Sequence, residues 1–329
     1  MRRDSGSLLI VALVTVSVVT TLALALALWA RSQIEWANQN ELVRRGRRAC
    51  FHGAMVCCFE RLASDTNGYD SLDEDWAEPY EKEADGWIWR VSGTGWSTPD
   101  DVHRTGLVDE SGKLPLNNAS STLLAALLHQ EGVGESEARK LAERIVDWRD
   151  EDSLGPDNVT PEHHYHGLPE SLWQPPNADF RSVGELASVP GITPAIYAAI
   201  APCLTVQPVK HININTISPD VLLAQINASG GRGSKTAMEL YNRFRAFRHD
   251  GKHFESIEPA LMGRQLGALT TEESFMLSVL STNIAIRSDI FSGVVESFPV
   301  EESKRIKKPP RATFVFDRKS NRFLHWVEE

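Results

Sequence analysis

The chain has 329 residues, a formal charge of −10 and a hydrophobic content of 42%, with nine Trp and twelve Phe. That is enough for one large soluble region or two modest domains. The acidic balance argues against duplex DNA or anionic lipid as the main partner and favours protein or divalent-cation partners.

Leu8 to Trp29 carries no charged side chain. At about 1.5 Å per helical residue this run spans a ~30 Å hydrocarbon core, and it exceeds the roughly 7–15 residue apolar core of an ordinary cleaved signal. Three readings are open. A signal anchor oriented by its flanks would leave the bulk of the chain in the cytoplasm, because Arg31, Arg44, Arg45, Arg47 and Arg48 outnumber Arg2 and Arg3. A signal cut after Ala27 or Ala30 would release a soluble protein. A short basic leader ending in Gly6 would be removed and the apolar segment kept.

Residues 31–64 continue as a polar, largely helical segment. Ile34, Leu42, Ala49, Cys50, Ala54, Cys57 and Leu62 recur at spacings that make one apolar stripe, interrupted at Gly46. Arg44-Arg45-Gly46-Arg47-Arg48 reads as a solvated face, or as a patch for lipid headgroups or a partner's acids. Asp65–Glu83 is acidic and turn-rich. Gly86–Trp96, with Trp87, Trp89 and Val91 alternating, predicts a strand, and Val102–Leu116 a strand and turn. A β layer thus begins and is suspended.

From 114 to 270 the chain is helical and repeats itself. Leu114-Pro115-Leu116-Asn117-Asn118-Ala119-Ser120 recurs as Ile212-Asn213-Ile214-Asn215-Thr216-Ile217-Ser218. Leu123, Leu124 and Ala126 match Val221, Leu222 and Ala224. One residue later in register, Ala138, Leu141, Arg144, Trp148 and Arg149 match Ala237, Leu240, Arg243, Phe247 and Arg248. Two copies predict duplicated helical units sharing one core, with Ser120 and Ser218 as N-caps. Between them, Phe180–Pro194 predicts a helix, a Val189-Pro190-Gly191 turn and a second helix capped at Thr193. This resembles a helix-hairpin-helix module, but no Lys or Arg follows the turn before Lys210, which favours a structural hairpin over a phosphate grip. The tail returns to β, with segments at Met276–Ile286, Phe291–Val300, Arg311–Phe316 and Phe323–Val327 as in an antiparallel meander.

Cys50, Cys57, Cys58 and Cys203 have no zinc spacing. One disulfide, which would need Cys203 to tie distant segments, and small apolar residues packed on a helix face are both open. The richest polar constellation is Asp147-Trp148-Arg149-Asp150-Glu151-Asp152, followed by Asp157 and Glu162. Hard divalent cations take six to eight oxygen ligands, roughly what such a loop can supply, although the spacing is not that of an EF-hand. His163-His164-Tyr165-His166 crowds three imidazoles without a supporting shell. Gly230–Thr236 looks briefly like a phosphate loop, but Ser234 stands where Gly must precede Lys235. No hydrolase motif occurs, and nothing argues for an enzyme.

Several stretches carry a family resemblance: Gly6-Ser7-Leu8-Leu9, Gly106–Asn117, Ile145–Asp150, Glu185–Gly191 and Ile212–Thr216. A glycine directly before the apolar run resembles a type IV prepilin leader. With the late meander and the helical insertion, these stretches resemble the K-type minor pseudopilin of bacterial type II secretion (the general secretion pathway protein K family) over essentially the whole mature chain.

The resemblance implies an α+β fold, in which a pilin-like long N-terminal helix packs on an antiparallel sheet with a large inserted all-α domain of SAM-like or helix-hairpin-helix-like kind. Its divisions are a prepilin leader at 1–6, a transmembrane helix at 7–30, a pilin-like helix and first strands at 31–113, the insert at 114–270 and a C-terminal β meander at 271–329. It implies cleavage after Gly6 by a prepilin peptidase and N-methylation of Ser7, where Phe is usual. Val11 takes the fifth mature position, where most pilins carry Glu, and this suits a subunit at the end of a fibre. It also implies structural Ca²⁺, carried over onto Asp150, Asp152, Asp157 and Glu162. The implied role is that of a non-enzymatic cap, assembled with the I- and J-type minor pseudopilins at the tip of a periplasmic pseudopilus. The H-type and major pseudopilins, secreted cargo and the outer-membrane secretin are further expected contacts, with a single span in the cell inner membrane and no nucleic acid. The competing class is a membrane-tethered helix-hairpin-helix protein of DNA uptake; a third, a secreted metal-dependent hydrolase, lacks a visible nucleophile.

Overall fold

In the computed structural model, which describes residues 5–93, 106–170, 172, 175–231, 233–301, 306 and 308–329, the chain starts as one helix of 54 residues, α1 (Ser5–Cys58). At about 1.5 Å per residue it is roughly 80 Å long. Residues 8–40 are exposed along its whole circumference, whereas the last third is gripped by a sheet.

The gripped face is made of small residues at helical spacing. Gly46, Ala49, Cys50, Gly53, Ala54, Cys57 and Cys58 are buried, and Leu62 follows in a short wide turn at Phe59–Ala63. Gly46 does not interrupt the stripe; it belongs to it. A Cβ there would sit 2.5 Å from Pro310 Cγ, and one on Gly53 would sit 2.6 Å from Trp89 Cγ. Backbone and sheet approach this closely only because the side chains are absent.

A short 3₁₀ turn at Asp75–Ala77 leads into a hairpin of β1 (Tyr80–Ala84) and β2 (Trp87–Ser92). Asp85 and Gly86 turn it with φ of 53° and 77°, as an Asp-Gly primed turn requires. The acidic stretch 65–83 therefore ends in a strand. Thr94–Trp96 and Val102–Thr105, parts of the two predicted strands, lie outside the described residues. β3 (Val108–Asp109) and a 3₁₀ turn at Glu110–Gly112 come next.

After the insert, β8 (Ile290–Pro299), β9 (Arg311–Asp317) and β10 (Arg322–Glu328) form the expected meander. The antiparallel sheet runs β1-β2-β8-β9-β10, and β3 pairs with β8 through Val108↔Ser292 and Asp109↔Phe291. Cys50, Ala54, Cys57, Leu62, Phe291 and Phe314 build the core between sheet and α1. All four thiols are free, so packing and not a disulfide describes them.

The insert consists of two tandem copies of one unit. In the first, β4 (Leu114–Pro115), α2 (Ser121–Gln130), α3 (Glu135–Arg149), α4 (Glu162–Tyr165), a 3₁₀ stretch at Val183–Ser188, α5 (Pro194–Ile200) and β5 (Leu204–Thr205) follow in order, and β5 closes in parallel on β4. In the second, β6 (Ile212–Asn213), α6 (Pro219–Ile226), α7 (Lys235–His249), α8 (Pro259–Leu266), α9 (Thr271–Leu280) and β7 (Ile284–Ala285) do the same, with β7 in parallel on β6. Ser120 and Ser218 cap α2 and α6 by accepting the N–H of Leu123 and Val221, as expected, and Thr193 caps α5.

The strand expected at Met276–Ile286 is mostly helix. Thr270 and Glu273 form a capping box that starts α9, and Met276, Leu277 and Leu280 lie on its buried face. Their spacing fits a helix as well as a strand, and the cap decides. The helical core thus continues past residue 270 to Ile284.

Candidate cation site

Each unit is closed by the same three contacts. Arg149 at the end of α3 donates to the carbonyls of Leu116 and Ala119, and Arg248 at the end of α7 donates to that of Ile217 at 2.7 Å. Asn117 exchanges two hydrogen bonds with the backbone of Phe180, at 2.9 and 3.0 Å, and Asn215 does the same with Phe254, at 2.7 and 2.9 Å. Trp148 stacks on Phe180 as Phe247 stacks on Phe254.

The hairpin turns match as well. Gly191 (φ 93°) and Gly267 (φ 94°) each follow a carbonyl, Pro190 or Leu266, held at 3.3 or 3.4 Å by Nη1 of Arg144 or Arg243. The second hairpin lacks the Pro-Gly signature and was not legible as one. Its trace in the sequence was the match of Arg144 to Arg243.

This equivalence isolates an extra segment. Between the arginine and the phenylalanine, the second unit has only residues 249–253, whereas the first has 150–179; among the described residues of that longer stretch no hydrophobic side chain is fully buried, and Leu168 packs partly buried against the core. Polar contacts shape it instead. Leu154 bridges Pro161, the N–H of Gly155 donates to Thr160 O at 2.8 Å, and that of Glu162 to Ser153 O at 3.3 Å. The fold-back carries Glu162, buried at the start of α4, to Asp150 and Asp152 at the end of α3. One carboxylate oxygen from each of the three lies within 4.8 Å of the others. Burial, followed by the charges of Asp147 and Asp152, pushes the Asp150 carboxyl up to about 6.

The donor set suits a hard divalent cation. Asp150 Oδ1 is buried without a hydrogen-bond donor, and so is Oδ1 of Asn177, whose amide nitrogen reaches back to Asp152 O and Ser153 Oγ. Buried acceptor oxygens normally have partners, and oxygens without donors are what Ca²⁺ coordinates. Asn177 was missed because it lies far along the chain from the acidic run.

The expected residues separate. Asp150, Asp152 and Glu162 come together, but Asp157 does not join them. Its oxygens accept from Thr160 N–H and Oγ1 and from Val159 N–H, which hold its carboxyl below the ordinary range, so it shapes the loop turn. His166 turns from its neighbours to pair with buried Asp147 at 2.5 Å. In the phosphate-loop look-alike, Arg232 lies outside the described residues, and Ser234 is the N-cap of α7.

At the other end of the chain, Gly6 and Ser7 lie in the first turns of α1, and Val11 is exposed on it. Met1–Asp4, the start of the expected leader, lies outside the described residues. The helix from Leu8 is long and apolar enough to cross a membrane, and none of its apolar window is buried.

Residues 105–209, which contain the first helical unit, match the family model of the type II secretion system (T2SS), protein K. The fold resembles that of a chain in the crystal structure of the GspK-GspI-GspJ complex from the enterotoxigenic Escherichia coli type 2 secretion system. The two share 17% identity and a TM-score of 0.60, over 91% of this chain and 99% of that one. No curated protein matches the chain. The protein K match lies in the insert, and the likeness that extends across the chain is one of fold, a long N-terminal helix on an antiparallel sheet with a helical insert.

Proposed function

We propose that the chain caps the tip of a periplasmic pseudopilus, assembled with I- and J-type minor pseudopilins and next to the H-type and major subunits. The observation that carries this reading is the division of α1. Its first part is a bare apolar rod suited to a bilayer and then to a helix bundle, and its last part is gripped by a sheet that bears a bulky insert. A subunit of that shape fits the end of a fibre, and Val11, where most pilins carry a carboxylate, offers no charge to a subunit above it. Prepilin peptidase would cut after Gly6 in the inner membrane, leaving Ser7 as the methylated first residue and the bulk in the periplasm. Secreted cargo and the outer-membrane secretin would meet the exposed insert.

Within the insert, Asp150, Asp152, Glu162 and the Asn177 side-chain oxygen would hold Ca²⁺. The cation would supply positive charge to three crowded carboxylates and fix a loop that polar contacts shape. Mass spectrometry of the mature N-terminus tests the proposal. A chain beginning at Ser7 and recovered in the inner membrane with I- and J-type partners is expected; a start at Arg31 or later overturns it.

A further inference from the structure

The insert leaves the sheet after Asp109 and returns at Ser288, and both ends pass through one buried polar cluster. Asp109 Oδ1 accepts the N–H of Ser111 at 2.8 Å. Its Oδ2 accepts from Ser288 Oγ at 2.6 Å, Thr216 Oγ1 at 2.5 Å and Asn213 Nδ2 at 3.3 Å. Alongside, Asp70 receives both arms of Arg318, at 2.7 Å each, and the N–H of Ser288 at 2.6 Å. The Asp70 backbone is tied in too, its N–H donating to Ile286 O at 2.7 Å and its carbonyl accepting from Asn213 Nδ2 at 3.1 Å. Five segments therefore meet here: the loop after α1, β3, the start of the second helical unit, the returning chain and the β9–β10 turn.

Among the described residues, the charges around Asp109 leave it without a cation of its own. Arg318 serves Asp70 and, at 3.5 Å, Asp65, with Asp289 of the returning chain adding to its negative surroundings. On the β3 side, Glu110 is paired with Lys113 at 2.7 Å. From the second helical unit, the neutral Asn213 and Thr216 face it. Asp109 is thus a buried carboxyl held by neutral donors, and an ion in that position is costly. Burial pushes it up to about 6, against the pull of its Ser288, Thr216 and Ser111 donors.

We propose that Asp109 is a proton-operated lock on the joint between sheet and insert, firm when protonated and loosened when it ionises. When the joint opens to water, the carboxyl regains its ordinary value of 3.8. Between about pH 4 and 6 the closed joint keeps a proton that the open joint releases. Each unit of rising pH in that window favours opening about tenfold, and above it the effect is level. The inference rests on the joint alone and stands or falls separately from the secretion role.

Hydrogen exchange of the Ser111, Ser218 and Ser288 amides tests it in the full chain in detergent, with rates corrected for intrinsic pH dependence. Protection should fall about tenfold per unit up to about pH 6 and then level off. Asp109→Asn should abolish that slope. Thr216→Val, which removes a donor favouring the ion, should move the break to higher pH, and it decides the matter if the asparagine variant does not fold. Flat wild-type protection below pH 6, or a Thr216→Val profile identical to wild type, overturns the proposal.

Discussion

Asn117 and Asn215 do the same work in the two helical units: each clasps the backbone of a phenylalanine with both its N–H and its C=O, at 2.7 to 3.0 Å. The clasp brings the chain back onto the helix pair whether the excursion is short, as at Phe254, or long, as at Phe180. Asn215→Ala should cost about 1–3 kcal/mol, because it leaves a buried donor and acceptor unmatched. Asn117→Ala should cost less, since that side chain is half-buried. Urea unfolding of the two variants followed by tryptophan fluorescence gives the comparison.

Removal of divalent cations should act on one segment. With chelator, proteolysis within 150–179 should accelerate while the two cores keep their melting behaviour, since among the described residues of that stretch only the partly buried Leu168 packs against the helical core. Glu162→Gln should make the loop protease-sensitive with or without Ca²⁺. Asp157→Asn should keep the response, because the Asp157 carboxylate is engaged by Thr160 and Val159.

Close approach at Gly53 gives a packing test. A methyl group there meets the Trp89 ring at 2.6 to 2.9 Å, so Gly53→Ala should destabilise the α1–sheet core by about 1–3 kcal/mol. Gly68→Ala, with nothing within 4 Å, is the control and should stay within about 0.5 kcal/mol of wild type in the same denaturation series.

Burial raises the Cys50 thiol to about 11 and the Cys57 and Cys203 thiols to about 12, from an ordinary value of 9.0. The thiolate is the reactive form, so alkylation at pH 8 should be slow in the folded protein and prompt after denaturation. The folded chain keeps protons that the unfolded chain gives up above about pH 9, so these groups lower stability as pH rises from there towards 12. A pH series of thermal melts in the alkaline range reads this slope.

Much of this architecture was legible because its signals are local. The apolar run before Arg31, the alternating Trp87-Trp89-Val91 strand, the alternating tail and the Ser120 and Ser218 caps each specify structure within a few residues. The duplication was legible because Asn117, Trp148 and Arg149 have counterparts in Asn215, Phe247 and Arg248. The stretch Met276–Ile286 failed as a strand because its apolar spacing fits both periods, and only the Thr270–Glu273 cap separates them. In the site, the acidic run at Asp150 and Asp152 announced itself, and Glu162 was named with Asp157 among the carboxylates that follow it. Asn177 did not, since nothing nearby marks it. The Asp70–Arg318 and Asp109–Thr216 contacts were invisible because each joins segments more than a hundred residues apart.

The pairing of β3 with β8 has a consequence for how the chain is put together. Those two strands are antiparallel neighbours, with Asp109 opposite Phe291, so a tight turn of a few residues could have joined them. Everything between stands where such a turn would, and its two ends emerge side by side. A guest folded on its own imposes little closure entropy on its host, because its ends already meet. The sheet and α1 therefore form one continuous layer, entered and left by the two helical copies between β3 and β8. Excising residues 113–286 behind a short linker should leave that host with its strand order intact.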